Sequence, residues 1–450
     1  MRKLRTVVLF GALSLTLGCG GSSSSSGGGG GDAAGGIAGC SNGTSPSPSG
    51  NTIAASAENV ATITVDGGLP SLPVTYVNGI FTTVKVCVPG TTNCQSIDHV
   101  LVDTGSYGLR LLQGPPTSTP GGELTLSLPQ QTDASGNLIA ECAQFSDGIT
   151  WGSVRMVDIF VAGERALGVP IQVIGDSNPK FATVPSACSA FGSPENNLSK
   201  LLANGIIGVG PFPQDCGAGC APGTLNNPGL YYACPPSGGC TTGSQPTVIA
   251  VSSQVQNPVT KFAVLSGSTV ADNNGVIMQL PSVLPSGLAV VSGSLVFGIG
   301  TKSNNGLGNA TVYTGDPMTA DIKTNFASQT FTQSFIDSGS NGYFFPSNIP
   351  TCTSNTGFYC PTSNLTCSAT NLGQNGNQNT INFNVANADS LSGANNAFDN
   401  LAGPNNPTPG SNGATGFDWG LPFFYGRNVF TGIEGARMPA RVPPGPFYAY

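Results

Sequence analysis

Short apolar runs separated by turn-forming residues follow one another along the chain from about residue 53. Residues 60–90 alternate apolar and polar positions around Gly-containing turns, and residues 124–128 repeat this alternation as Leu-Thr-Leu-Ser-Leu. Further apolar runs occupy residues 154–161 and 169–174. Alternation with a period of two is typical of β-strands, and no stretch keeps a long helical stripe. The pattern therefore predicts an all-β body made of short strands and many turns.

Two of the apolar runs end in the same short motif, once in each half of the chain. The motifs are Asp103-Thr104-Gly105-Ser106 and Asp337-Ser338-Gly339-Ser340. Each copy indicates a buried strand that breaks into a tight Gly turn with a carboxylate at its tip. In a chain with 64 Gly, a single copy is more simply a surface turn. Two copies with matching flanks instead predict that two carboxylates meet on a pseudo-twofold axis.

These motifs resemble those of the pepsin-like aspartic proteases, and the chain also resembles a bacterial lipoprotein branch of that fold with no assigned function. Ile206-Ile207-Gly208 is similar to the family's hydrophobic-hydrophobic-Gly segment beneath the first tip, and residues 419–425 stand where the family has its closing strand. The resemblance implies a bilobal pepsin-like double β-barrel with the site in the inter-lobe cleft. It implies an N-terminal β lobe over residues 53–255 and a C-terminal β lobe over residues 256–450.

The resemblance also implies a role for each residue of the two motifs. Asp103 and Asp337 would be the catalytic pair that activates a water molecule, sharing one proton because carboxylates about 3 Å apart cannot both ionise. The supporting residues would hydrogen-bond across the axis (Thr104, Ser338), let the backbone pass close to the carboxylates (Gly105, Gly339) and donate to their outer oxygens (Ser106, Ser340).

Several positions depart from the family's pattern and leave two functions open. Tyr107 and Arg110 stand where the family prefers small polar residues and, later, an aromatic one. The Tyr that tips the family's flap hairpin has no counterpart; Phe145-Ser146 is nearest in position, and Trp151 is a candidate replacement. The first hypothesis is an envelope-anchored aspartic endopeptidase that acts on extended peptides. The second is a non-catalytic pepsin-fold lipoprotein that binds a peptide, a glycan or a protein partner in its cleft or loops.

The N-terminus has the features of an export signal. A basic start precedes an uncharged apolar run over residues 6–17, which is too short to span a membrane as a helix. Its end resembles a bacterial lipobox, which implies a signal peptide over residues 1–18 and lipidation of Cys19. Residues 19–52 are rich in Gly and Ser and predict a flexible linker. We expect an exported protein anchored by lipid in the cell envelope, with Gly20 favouring the outer membrane, at its periplasmic face or the cell surface.

The cysteine count predicts a disulfide framework. Removing Cys19 from the 13 Cys leaves 12, an even number that suits six bridges in an exported chain. Cys87 and Cys94 flank a hairpin turn and are the best single pair, whereas the other cysteines allow too many connectivities to choose. Residues 211–241 contain four cysteines in a loop-like stretch and predict a disulfide-stapled insertion.

Composition narrows the classes of chemistry. The chain has one His, so a His-based metal cluster cannot be built and a Ser-His-Asp site would have to use His99. No phosphate-binding or dinucleotide-binding Gly motif is apparent, so we expect neither cofactor nor metal. A formal charge of −7 with no basic run beyond the first five residues argues against a nucleic-acid partner. The expected partner is a peptide or protein substrate, and the expected state is a monomer.

Overall fold

Strands dominate the folded body of the protein. A computed structural model describes residues 37–115, 121–405 and 416–450 of the chain. Within these ranges the helices are all short, of three or four residues, while the strands assemble into two sheets. The all-β prediction is therefore confirmed. No helix in the described ranges has the length and apolar composition needed to cross a membrane.

The strands of the described residues are numbered here in chain order. They are β1 (Cys40–Asn42), β2 (Val60–Asp66), β3 (Gly79–Cys87), β4 (Cys94–Asp103), β5 (Tyr107–Leu112), β6 (Leu138–Gln144), β7 (Ile149–Val161), β8 (Glu164–Ile174), β9 (Gly205–Val209), β10 (Tyr231–Cys234), β11 (Pro246–Thr247), β12 (Gly275–Gln279), β13 (Val291–Phe297), β14 (Val312–Thr314), β15 (Ile322–Phe326), β16 (Gln329–Ile336), β17 (Tyr343–Phe344), β18 (Leu365–Leu372), β19 (Gln378–Val385), β20 (Ala402–Gly403), β21 (Asp418–Trp419), β22 (Asn428–Gly432) and β23 (Phe447–Ala449).

Single helical turns connect some of these strands. Two are α-helical, α1 (Ser186–Ser189) and α2 (Leu198–Leu201). The 3₁₀ turns are Pro179–Phe181, Gly217–Cys220, Val251–Ser253, Pro258–Lys261, Ala388–Ser390 and Leu421–Phe423. Two of these 3₁₀ turns begin with Pro after an Asn whose side chain accepts a backbone N–H, namely Asn178 and Asn257. The Pro in these turns prevents strand pairing at that point, because Pro has no N–H to donate.

The first half of the molecule, defined here as β2 to β11, contains a closed barrel. Its strands follow the order β7-β8-β5-β9-β4-β3, and the pairing of β3 with β7 closes the ring. Every residue of β5 and β9 is buried. Strands covered on both faces carry continuous apolar runs rather than alternating ones. Their sequences, Tyr-Gly-Leu-Arg-Leu-Leu and Gly-Ile-Ile-Gly-Val, fit that position with Arg110 as the exception.

The second half, defined here as β12 to β23, adds an open half-barrel. Its sheet has the order β18-β15-β16-β21-β17-β20, with β19 also paired to β18. The half-barrel encloses an aromatic core in which Phe345 stacks on Phe417 at 4.8 Å and Phe417 stacks on Trp419 at 4.5 Å between ring centroids. The two halves are joined through the antiparallel pairing of β2 with β13, so one sheet runs from the barrel into the second half.

Residues 37–54 differ from the flexible linker that their composition predicted. β1 pairs antiparallel with β18, and the disulfide between Cys40 and Cys367 joins the same two strands. Beyond β1, the Ser45 amide donates to Asn384 Oδ1 at 2.8 Å, and the Ala54 amide donates to Gln279 Oε1 at 2.7 Å. Composition alone missed this because the contacts are made by backbone groups, by one cysteine and by small polar side chains such as those of Ser47 and Asn51. The prediction that folding begins near residue 53 is therefore wrong.

The predicted disulfide framework is confirmed. Six bridges form, and Cys87 pairs with Cys94 across the ends of β3 and β4. Two bridges, Cys216–Cys220 and Cys234–Cys240, lie within the insertion over residues 211–241. Cys352–Cys360 is also local, whereas Cys142–Cys188 and Cys40–Cys367 link more distant residues. Disulfides on this scale indicate an exported protein, because reducing compartments do not sustain them.

One strand assignment was wrong. Residues 124–128 form no strand, although Leu124 and Leu128 are buried as the alternation implies. β18 and β19 form a hairpin at the start of the Asn-rich stretch that follows residue 371. Asn side chains disfavour strands in general, yet the alternating Ile381, Phe383 and Val385 face the aromatic core and hold the hairpin in place.

Candidate active site

The two Asp-Ser/Thr-Gly motifs lie at the ends of equivalent strand triplets. In the first half, β9 lies between β4 and β5, parallel to β4 and antiparallel to β5, and Asp103 is the last residue of β4. In the second half, β21 lies between β16 and β17, parallel to β16 and antiparallel to β17, and Asp337 follows the end of β16. Each carboxylate therefore lies at the end of a strand that pairs with the central strand of its triplet.

Reciprocal hydrogen bonds join the two tips. The Thr104 hydroxyl accepts from the Ser338 amide at 2.9 Å and donates to the Ile336 carbonyl at 3.1 Å. In mirror fashion, the Ser338 hydroxyl accepts from the Thr104 amide at 3.1 Å and donates to the Val102 carbonyl at 2.8 Å. All these groups are buried, so each bond replaces an interaction with water that the fold has removed. The four bonds fix the tips relative to one another.

The carboxylates are held by the backbone and hydroxyl groups that follow them. The Gly105 amide donates to Asp103 Oδ1 at 2.8 Å, and the Gly339 amide donates to Asp337 Oδ1 at 2.7 Å. The Ser340 hydroxyl donates to Asp337 Oδ2 at 2.9 Å. On the first tip, the Ser106 hydroxyl makes no hydrogen bond of ordinary geometry to Asp103, yet it lies close enough to lower the pKa of that carboxyl group.

Gly105 shows how closely the two tips approach. A Cβ atom at this position would lie 2.6 Å from the Asp337 carboxyl carbon and 2.8 Å from each of its oxygens. These distances are far below van der Waals contact, so no other residue fits without displacing Asp337. The glycine is thus required by the carboxyl group on the opposite tip.

The two carboxyl groups lie within hydrogen-bonding reach of one another and are fully buried. Burial raises the pKa of Asp103, while the nearby Asp337 carboxyl group, Ser106 hydroxyl and Gly105 amide oppose that rise. Burial raises the pKa of Asp337 well above its usual value, and the negative charges of Asp103 and Asp418 raise it further. A pair in this setting holds one proton between its members and titrates as a unit. The arrangement can supply a base and an acid side by side.

Tyr76 stands near this pair and was missed by the sequence analysis. Its pKa is raised well above the usual value by burial first, then by the charges of Asp147, Glu195 and the two carboxylates of the pair. Its hydroxyl is buried and has no hydrogen-bond partner within the described ranges. Buried hydroxyls are rarely left unpaired, which makes this one a candidate contact for a bound molecule. No sequence motif includes Tyr76, which lies outside the strands.

A small pocket opens beside the first tip. Tyr76, Leu101, Phe145 and Ile206 contribute to its mainly apolar wall. Phe145 follows the end of β6 at the turn of the β6–β7 hairpin, so the nearest sequence candidate for a covering aromatic does line the pocket. Trp151 does not: its indole N–H donates to the Phe181 carbonyl at 2.8 Å, and its ring packs on Tyr232 in a separate core.

Tyr107 and Arg110 are buried and make contacts that stabilise the fold. Tyr107 packs edge-on against Phe212 at 5.4 Å between ring centroids. Buried Arg110 donates to Glu141 at 2.6 Å and to Asp215 at 3.3 Å. Since Asp215 lies in the insertion over residues 211–241, these contacts attach that insertion to β5 and β6. Removing one member of such a buried ion pair is strongly destabilising, because its partner is left as an uncompensated charge.

Asp418 is a third buried carboxyl group at the site. It begins β21, and its charge raises the pKa of Asp337. The sequence analysis treated the following residues as a closing strand and did not single out this aspartate. The equivalent position in β9 is Ile206, so a carboxylate at this position of β21 was a signal by which Asp418 could have been identified. The predicted lipidation site, Cys19, lies outside the described residues.

Comparison with known proteins shows the family of the chain. Residues 55–450 match a family described as a protein of unknown function, DUF3443, and the chain belongs to that family. A search of curated proteins found no match to it. The matched region covers both tips and every strand from β2 onward.

Proposed function

We propose that the protein is an aspartic endopeptidase with a pepsin-like bilobal fold, whose active site lies in the cleft between the two halves. The observation that carries the proposal is the pair of equivalent tips, joined by four reciprocal hydrogen bonds, with two carboxyl groups in mutual reach. If each motif were only a surface turn, it would need neither a second copy nor hydrogen bonds between the two tips. Hydrolysis by two carboxyl groups requires a second tip and bonds that hold the two tips together.

The arrangement supports a water-activating mechanism. The ionised member of the pair takes a proton from a water molecule, whose oxygen bonds to the scissile carbonyl carbon. The protonated member donates its proton to the carbonyl oxygen, which gives a tetrahedral diol. As the diol breaks down, the C–N bond breaks, the pair donates one proton to the departing amine nitrogen and takes one from a diol hydroxyl. The pair of Asp103 and Asp337 then again holds one shared proton. The amides of Gly105 and Gly339 hold the carboxylates in place throughout.

The surroundings of the pair support a substrate class and a location. The proposed substrate is an extended peptide, one of whose apolar side chains would contact the apolar wall that includes Tyr76 and Ile206. The disulfides place the protein outside the reducing cytoplasm. Lipid anchoring through Cys19 to the cell envelope, with the outer membrane as destination, is part of the proposal and has a direct test in acyl labelling of wild type and Cys19→Ser.

A second candidate function is a non-catalytic peptide-binding protein. The observation that favours it is the complete burial of both Asp103 and Asp337, together with the position of Tyr76 close to them. A substrate carbonyl would have to displace covering side chains before it reached the pair. A binding protein would have no such requirement, since it could hold its ligand at the rim.

Cleavage of a mixed peptide library between pH 3 and 7 separates the two candidates. We expect wild type to cleave, a statine-type inhibitor to block it, and Asp103→Asn or Asp337→Asn to lower the rate by at least about 10³-fold while thermal unfolding stays cooperative. An amide can supply neither the base nor the shared proton. Peptide binding without cleavage at any pH would favour the binding protein. Cleavage that persists in both variants would overturn the two-carboxylate mechanism.

A further inference from the structure

The internal equivalence of the two strand triplets locates a second subsite wall. In the first half, Leu101 aligns with Ile206 across the parallel β4–β9 pair. In the second half, Phe335 aligns with Asp418 across the parallel β16–β21 pair. Both aligned pairs lie two residues before the tip carboxylates. The position equivalent to Ile206 is therefore Asp418.

The alternation along these strands sets the direction of each side chain. Ile207 and Trp419 belong to the main apolar core, whereas Ile206 lines the pocket beside the first tip. Because successive side chains on a strand point to opposite faces, Asp418 points away from the core that receives Trp419. It therefore points toward the side on which the paired carboxyl groups lie, in agreement with its electrostatic influence on Asp337.

Asp418 is unpartnered in this position. The residue is fully buried, and neither carboxylate oxygen has a hydrogen bond of ordinary geometry within the described ranges. The ion pairs found there do not include it. Burial is the largest influence on the Asp418 carboxyl group and raises its pKa well above the usual value. The Ser340 hydroxyl lowers this pKa, and the charge of Asp103 raises it. The charge of Asp418 also raises the pKa of Tyr448.

An unpaired buried carboxyl group is costly to the fold unless something else compensates it. The equivalent strand in the first half carries Ile206 at this position, so an apolar residue satisfies the strand geometry. A cationic group brought by a ligand would remove the cost, since charge-assisted hydrogen bonds to a carboxylate are the strong ones. The negative paired carboxyl groups nearby would favour the same charge.

We propose that Asp418 is a specificity-determining residue that binds the ammonium or guanidinium group of a Lys or Arg side chain in the bound peptide, on the side of the scissile bond that faces the second half. The inference rests on the proposed function and deepens it by naming the substrate class. The pocket beside Ile206 receives an apolar side chain on the other side of that bond. The preferred bond thus joins one apolar residue to one basic residue.

The test uses paired peptides that differ only in Lys or Leu at the position next to the scissile bond, tried on each side of it. For each pair, hydrolysis is measured between pH 5 and 7, and binding of a reduced-bond analogue, which cannot be cleaved, is measured by calorimetry. We expect wild type to favour Lys by at least about tenfold on one side only. Asp418→Leu should abolish or reverse that preference, and Asp418→Asn should weaken it.

Ile206→Val is the matched control, because it alters the equivalent position in the first half. It should change the preference among apolar side chains and leave the preference for Lys intact. Thermal unfolding of each variant checks the fold, and Leu at position 418 copies the apolar character already present at position 206. These controls separate a lost charge contact from a damaged cleft.

The outcomes distinguish this inference from the proposed function. Cleavage with no preference for Lys, or the same preference in Asp418→Leu, overturns the inference and leaves the endopeptidase standing. A shift of the pH profile in Asp418→Leu with unchanged preference also overturns it and assigns Asp418 to tuning the pair. Analogue binding that favours Lys without cleavage supports the inference and overturns the endopeptidase. If no peptide is cleaved or bound, both are wrong.

Discussion

The first and second tips make the same hydrogen bonds from different supports. The first rises from a closed barrel whose strand β9 is five residues long, and the second rises from a half-barrel whose strands β17 and β21 have only two residues each. The bonds made by Thr104 and Ser338 nevertheless match one for one. The tips are therefore constrained by their mutual contact, while the sheets that hold them are free to diverge.

The residues beside the two tips differ even more than the sheets that support them. The wall beside the first tip carries Ile206, and the equivalent wall beside the second tip carries Asp418. In the proposed mechanism the two carboxyl groups tolerate no such difference, because they must share one proton. The proposed enzyme would thus present opposite chemistry to the two sides of one ligand from halves that match in their carboxyl groups. The predictions below test how far the equivalence extends.

The largest effect is expected for Gly105→Ala. The added methyl group would lie 2.6 Å from the Asp337 carboxyl carbon, so the two tips must separate. A displacement of about 1 Å in a reacting group can cost about 100-fold in rate, and we expect a loss of at least that size in kcat/KM. Gly342→Ala is the control in the second tip, since its added Cβ would meet no atom closer than 3.3 Å. Equal losses in both variants would contradict the close approach seen at Gly105.

An intermediate effect is expected from the disulfides. The Cys40–Cys367 bridge closes a loop with a sequence separation of 327, whereas Cys87–Cys94 closes one of 7. In the chain-entropy account, replacing both cysteines by Ser lowers the free energy of unfolding by about 6 kcal/mol for the long loop and about 2–3 kcal/mol for the hairpin. Urea unfolding of the two double variants measures the difference. A hairpin variant that is the less stable of the two would show that β1 adds little to the second half.

The smallest effect concerns a carboxyl group at the junction of the halves. Glu164 of β8 lies beside Asp272, and burial first, then the hydrogen bond with Asp272, raises its pKa from 4.5 to about 8. Because this pKa is higher in the folded state, its contribution to stability is complete below pH 4.5 and is lost as pH rises to about 8. Glu164→Gln should therefore lose less stability than wild type between pH 5 and 8. Urea titrations at both pH values measure this, with exposed Glu434→Gln as control; parallel curves for wild type and Glu164→Gln would contradict it.

The predictable parts were those that leave a local signal in the chain. An apolar run, an acid and a glycine turn are adjacent in sequence, so the tips at Asp103 and Asp337 could be identified. Cys87 and Cys94 flank one turn, so their bridge could be identified as well. Both depend on residues within a few positions of one another, where backbone geometry leaves little choice.

The features that could not be predicted depend on contacts between residues that are far apart in the sequence. Nothing near Cys40 indicates that Cys367 will be its partner, because the pairing of β1 with β18 brings them together. Tyr76 and Trp151 are both aromatic residues near turns or hairpins, yet only Tyr76 reaches the carboxyl pair. Asp418 was overlooked because its meaning appears only when β21 is aligned with β9.

The bridge from Cys40 to Cys367 also makes the body of the protein a covalent ring. Any single cut in the backbone between these two residues leaves both fragments attached through sulfur. The ring contains Asp103, Asp337 and the pairing of β2 with β13 that joins the halves. A protease that nicks an exposed loop in this interval therefore cannot release either tip until the disulfide is reduced.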